Sequence, residues 1–138
     1  MKGMEQARRV FLGGTCNGSL WRDAVIPLLK IDYFNPVVEN WTPADLENEL
    51  KERERCSDYL YVITPRMEGF YSIAELVDDS NKRPEKTLCC FLTDDEGKHF
   101  SFTQWRSIKA IKEMLIRNGV QVFETIDEVI RFLNTARV

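Results

Sequence analysis

Residues 58–65, Asp58-Tyr59-Leu60-Tyr61-Val62-Ile63-Thr64-Pro65, decide the fold. Aromatic and β-branched side chains dominate Tyr59 to Thr64, the composition of a β-strand, and Pro65 closes it because proline cannot donate to a hydrogen-bond ladder. On the upstream side a helix begins at a well-marked cap. Thr42 is the N-cap, Pro43 sits at N1, and Asp45 at N3 completes a T-x-x-D variant of the capping box, so a helix runs to about Cys56. On the downstream side a loop carrying Gly69 leads into a helix over about 72–82, stopped by Arg83-Pro84.

The same alternation extends to both ends. Residues 9–13 read as a first strand, ended by Gly13 and Gly14. Leu20, Trp21, Ala24, Val25, Leu28 and Leu29 then make the apolar stripe of a helix over about 19–30. Ile31 to Phe34 form a second strand that stops at Asn35-Pro36. Lys86 to Leu92 form a fourth strand, followed by a turn at Asp94-Asp95-Glu96-Gly97. Ser101-x-x-Gln104 caps a helix that ends at Asn118-Gly119, Val120 to Phe123 make a fifth strand, and Thr125 to Thr135 the last helix.

Strands and helices that alternate strictly, with right-handed crossovers, predict a single α/β domain over residues 1–138. The expected architecture is a doubly wound, five-stranded parallel sheet of flavodoxin-like order 2-1-3-4-5. Ligands of such sheets bind beyond the carboxyl ends of the strands, at the switch between strands 1 and 3. That directs attention to residues 13–21, 35–41 and 64–75.

The 138-residue composition, 43% hydrophobic and 30% charged, excludes a disordered, collagen-like or disulfide-scaffold chain. Net charge is −3 with Lys and Arg scattered, so no basic stripe suits a nucleic-acid partner. No apolar run approaches the roughly 18 residues of a membrane span. The first residues lead directly into Val10-Phe11-Leu12, too soon for a signal-peptide core, and a cytoplasmic location is expected. Cysteines stand at 16, 56, 89 and 90 without a C-x-x-C spacing, and the side chains of adjacent Cys89 and Cys90 point to opposite strand faces, which favours free thiols in a reducing compartment. His99 is the only histidine, so no Ser-His-Asp, Cys-His or histidine-rich metal constellation can form. Chemistry must rest on carboxylates, hydroxyls or thiols, and no metal or cofactor is implied.

Two segments qualify. Gly13-Gly14-Thr15-Cys16-Asn17-Gly18-Ser19 is a glycine-rich strand-to-helix loop that lets backbone N–H groups approach a phosphate or sugar; it also reads as a tight turn with Ser19 capping the next helix. Ser72-x-x-Glu75 reads as a capping box, yet a carboxylate in the first helical turn is favoured as the anion by the helix dipole, the form a nucleophile needs. A second carboxylate would complete a pair for cleaving a glycosidic bond. Asp45, Glu47, Glu49 and Glu52 are the candidates, although Glu47–Lys51 and Glu49–Arg53 also read as ordinary solvated i,i+4 pairs. Trp21, Trp41, Phe70 and Tyr71 flank the expected crevice and suit stacking on a base; Trp21 and Phe70 equally suit the core.

Taken in order, Val10-Phe11-Leu12-Gly13-Gly14-Thr15, Trp21-Arg22, Phe34-Asn35-Pro36, Trp41, Ser57-Asp58 and Ser72-Ile73-Ala74-Glu75-Leu76 resemble the nucleoside 2-deoxyribosyltransferase-like family over about residues 10–80. The resemblance implies cleavage of the N-glycosidic bond of a 2′-deoxynucleoside or its monophosphate, with Glu75 attacking the anomeric carbon. It also implies a proton-transfer carboxylate on the helix before the third strand, for which Glu49 or Asp45 is the candidate here, with Gly13, Gly14, Thr15, Asn17, Trp21, Asn35, Asp58, Phe70 and Tyr71 as candidate substrate contacts. The implied partner is a small-molecule nucleoside or nucleotide, and self-association into a homo-oligomer is a further implication. The sequence departs from the family in three places. Counted back from Asp58, the usual proton-transfer carboxylate falls on Leu50, beside Glu49; Val77 stands where glycine is common; and Asn17 lies near the arginine of members that act on monophosphates. A pocket that binds a nucleoside without turning it over is the rival reading, motivated by Leu50. A phosphoacceptor receiver or a flavodoxin shares only the fold: a receiver needs acidic residues where Gly13-Gly14 and Thr64-Pro65 stand.

Overall fold

The computed structural model describes residues 7–16, 18–38 and 40–135. Its main sheet comprises β1 (Arg9–Gly14), β2 (Asp32–Phe34), β3 (Asp58–Ile63), β4 (Thr87–Phe91) and β7 (Gln121–Phe123). All of its pairings are parallel and the order is β2-β1-β3-β4-β7, the expected doubly wound arrangement. The helices are α1 (Trp21–Val25), α2 (Pro43–Glu54), α3 (Tyr71–Lys82), α4 (Phe102–Asn118) and α5 (Ile126–Asn134). Among the described residues no helix is long and apolar enough to cross a membrane.

The central strands are buried throughout, and the two-residue period of a strand divides their side chains between two cores. Val10, Leu12, Leu60, Val62, Leu88 and Cys90 pack with Trp21 and Val25 of α1 and Val129 and Leu133 of α5. Phe11, Tyr59, Tyr61, Ile63, Cys89 and Phe91 pack on the other face with Leu76 of α3 and Ile108 and Leu115 of α4. Cys89 and Cys90 therefore enter different cores, and all four cysteines are free. Helix α2 has no buried residue. It is attached through polar contacts, and these bear directly on the site below.

The capping boxes at Thr42–Asp45 and Ser101–Gln104 form as expected, a further one forms at Thr125–Glu128, and Gly119 closes α4 in the left-handed conformation at φ 97°. Three expectations need correction. The first helix is short: α1 gives way at Ile26–Leu28 to a 3₁₀ turn, because Pro27 has no N–H to continue the α ladder. Ser19 does not cap it; its hydroxyl donates to Asp95 Oδ2 at 2.6 Å. Nor do Ser72 and Glu75 form a capping box, because α3 begins one residue earlier, after Phe70, with no side-chain cap. The Asp94–Gly97 turn is the tip of a small antiparallel hairpin of β5 (Asp94–Asp95) and β6 (Lys98–His99), with Glu96 and Gly97 at φ 49° and 84°. Two successive positive φ values match the twist of paired strands.

Candidate active site

The chain leaves β1 towards β2 on one side and returns to β3 on the other, and a pocket of about 300 Å³ opens at that divergence. This volume is at the small end of small-molecule sites. Gly13 and Gly14 end β1 at its base, Cys16 and Arg22 follow, and Pro36, Val37, Val38 and Trp41 form one wall after β2. Glu49 enters from α2, and Tyr71, Ser72 and Glu75 from α3.

Both glycines are required by packing. A Cβ on Gly14, at φ 115°, would lie 2.2 Å from the carbonyl oxygen of Val62, and one on Gly13 would lie 2.7 Å from Cε1 of Tyr61. Strands β1 and β3 thus close to a separation that no side chain allows. Beyond Gly14 the loop is pinned by residues behind it. Arg22 donates to the carbonyls of Leu12 at 3.0 Å and Thr15 at 2.7 Å, and Trp21 Nε1 donates to the same Thr15 oxygen at 2.9 Å. The Thr15 hydroxyl accepts from the Thr64 N–H at 2.9 Å.

Two carboxylates from different helices meet in the pocket. Glu75 is pushed up to about 7, first by burial and then by Glu49, with Arg53 opposing and Asp79 adding to the rise. Glu49 is also raised, by burial, with Arg53 opposing. The helix-dipole expectation for Glu75 is therefore overturned: it sits in the second turn of α3, and desolvation beside a like charge outweighs the dipole. Paired carboxylates that resist simultaneous ionisation suit acid–base or nucleophilic work.

The remaining expected residues divide clearly. Tyr71 lines the pocket and is 63% exposed, whereas Phe70, 79% exposed, lies outside the lining. Trp21 belongs to the core, and Thr15 lines a smaller neighbouring hollow with Cys16 and Tyr71. Asn35 shapes the wall indirectly, its Oδ1 accepting from the Val37 N–H at 3.1 Å. Asp45 accepts from the Thr42 N–H at 2.7 Å as a helix cap and does not reach the pocket. Asp58 is fully buried at the amino end of β3, accepts from Ser57 Oγ at 2.8 Å and pairs with Arg8, so it lies at the far edge of the sheet. Asn17 falls outside the described residues. Leu50 is 48% exposed and absent from the lining, where Glu49 stands instead.

Sequence reasoning missed the inner face of α2. Arg53 is not part of a solvated pair with Glu49: its Nη2 contacts the Asp79 carboxylate and donates to Tyr61 Oη at 3.0 Å, and Tyr61 Oη donates to Asp79 at 2.5 Å. The only sequence signal was an arginine on a helix otherwise lacking an apolar face. Among the described residues no group of three or more His, Cys, Asp and Glu could hold a metal ion. The sequence matches no protein-family model and no curated protein.

Proposed function

We propose that the protein cleaves the N-glycosidic bond of a (deoxy)nucleoside or nucleotide, or transfers its sugar to another base, with Glu75 as nucleophile and Glu49 as proton donor. The observation that carries this reading is the convergence of Glu49 and Glu75, from α2 and α3, on one small pocket. A Glu75 oxygen attacks the anomeric carbon as the carbon–nitrogen bond breaks. The bonding pair leaves with the base, whose nitrogen takes the proton of Glu49. Water or a second base then attacks the same carbon, Glu75 departs as carboxylate, and Glu49 recovers a proton.

The pair must begin with one shared proton. Burial and Glu49 favour that proton on Glu75. An anomeric carbon gaining positive charge beside Glu75 favours its anion and moves the proton to Glu49, so the two groups titrate as a unit. Trp41, Val37, Val38 and Tyr71 offer an apolar, partly aromatic wall for a base.

Incubation with 2′-deoxynucleosides and their monophosphates, with and without a free acceptor base, tests the reading. Free base should appear with wild type, fall by at least about 100-fold in Glu49→Gln, and vanish in Glu75→Ala. Unchanged release in Glu75→Ala removes Glu75 from the mechanism. Saturable binding without any release identifies a binding module instead.

A further inference from the structure

We propose that Arg53 is a positioning residue: clamped behind the pocket by Asp79 and Tyr61, its fixed positive charge keeps one carboxylate of the Glu49–Glu75 pair ionised. Its catalytic consequence rests on the function proposed above; its effect on the carboxylates does not.

The geometry leaves the guanidinium little freedom. It lies 5.1 Å from the ring centroid of Phe11 and 5.3 Å from that of Tyr59, while its Nη2 engages both Tyr61 and Asp79. Asp79 is fully buried and is held from the other side by Arg83 Nε at 3.0 Å. Tyr61, also fully buried, accepts from Arg53 and donates to Asp79, which closes a triangle of three side chains from α2, β3 and α3. Arg53 and Glu75 line one hollow between α2 and α3, and Arg53 does not line the pocket that Glu75 shares with Glu49.

The other groups around Glu75 are Glu49 on α2, Asp78 and Tyr71 on α3, and, across the pocket, Cys16 and Arg22. The Arg22 guanidinium already donates to the carbonyls of Leu12 and Thr15. Arg53 is thus the cation that opposes the rise of both carboxylates, and Asp79 both orients it and partly offsets it. Burial of Tyr61 pushes its phenol far up, so the phenol stays protonated throughout the range in which the pair titrates.

The two members of the ion pair must therefore act on Glu75 in opposite directions. Carbon-13 NMR titration of the glutamate carboxyls in the full chain, assigned with Glu75→Gln and Glu49→Gln, reads this without substrate. Arg53→Gln should raise the Glu75 midpoint by about one pH unit, Asp79→Asn should lower it, and the double variant should rise by less than Arg53→Gln alone. A purely structural role would move the midpoint in neither single variant, or in the same direction in both. If Arg53→Gln does not fold, Asp79→Asn, which keeps the shape of the carboxylate, decides alone: an unmoved or raised midpoint overturns the proposal. Opposed shifts in a protein that releases no base would refute the glycosidic reading and leave the role of Arg53 standing. Base release with unmoved midpoints would do the reverse.

Discussion

The Ser72 hydroxyl donates to the carbonyl oxygen of Gly14 at 3.0 Å, joining the first turn of the helix that carries Glu75 to the strand end beneath the pocket. Because α3 starts at Tyr71, Glu75 lies in its second turn, out of register with the helix start it would otherwise cap, and its carboxylate lines the pocket.

This bond gives a first prediction. Ser72→Ala removes one neutral, partly buried hydrogen bond, while Gly14 O keeps longer contacts from Arg22 and Cys16. The variant should lose about 1 kcal/mol of stability in urea unfolding. Far-ultraviolet circular dichroism should be unchanged, because no helix cap is lost; a fall in helicity would instead return Ser72 to a capping role.

The Glu49–Glu75 pair links the proposed activity to stability. Folded Glu75 titrates at about 7, against about 4.3 for an unfolded glutamate. Between these values the native state holds the extra proton, so this contribution to stability is complete below the lower value and is lost as pH rises through the upper one. Glu75→Gln abolishes that loss. It should match wild type near about pH 4 and exceed it near about pH 8 by roughly 1 kcal/mol, allowing for the solvent screening of a partly exposed group. Urea unfolding at the two pH values checks this; an equal difference at both would mean that Glu75 does not titrate between them. Base release by wild type should decline above about pH 7 for the same reason, since the pair then has no proton to give.

How much of this was legible follows from the range of each interaction. The caps at Thr42 and Ser101 were readable because donor and acceptor lie within one helical turn. The sheet order was readable because β-α alternation and crossover handedness leave few topologies. Ser72 shows the limit of local reading. Ser-x-x-Glu has the spacing of a cap, but the partner that the hydroxyl takes lies on β1, far away in sequence. Arg53 misled in the same way: on a helix wheel it faces Glu49 four residues back, whereas in the fold it turns inward to Tyr61 and Asp79. Glu49 was readable as one candidate among the acids of α2, but only the pocket separates it from Asp45 and Leu50.

The glycines test whether the base of the pocket is set by packing or by flexibility. Gly14 and Gly18 both have positive φ, at 115° and 75°, yet a Cβ on Gly18 would meet nothing within 4 Å whereas one on Gly14 would strike the Val62 backbone at 2.2 Å. Gly18→Ala should therefore cost only the left-handed penalty of about 1–2 kcal/mol. Gly14→Ala adds a clash that can be relieved only by parting β1 from β3, where Thr15 N donates to the same Val62 oxygen at 2.9 Å. Its cost should exceed about 3 kcal/mol. In a chain this size the difference should appear as a melting temperature several degrees lower for Gly14→Ala than for Gly18→Ala. Equal losses would mean that the loop's conformation, rather than the closeness of the two strands, dictates glycine here. Unequal losses would tie the pocket's base to the β1–β3 contact, so that Gly14→Ala, if it still folds, should also weaken nucleoside binding through displacement of the backbone that lines the site.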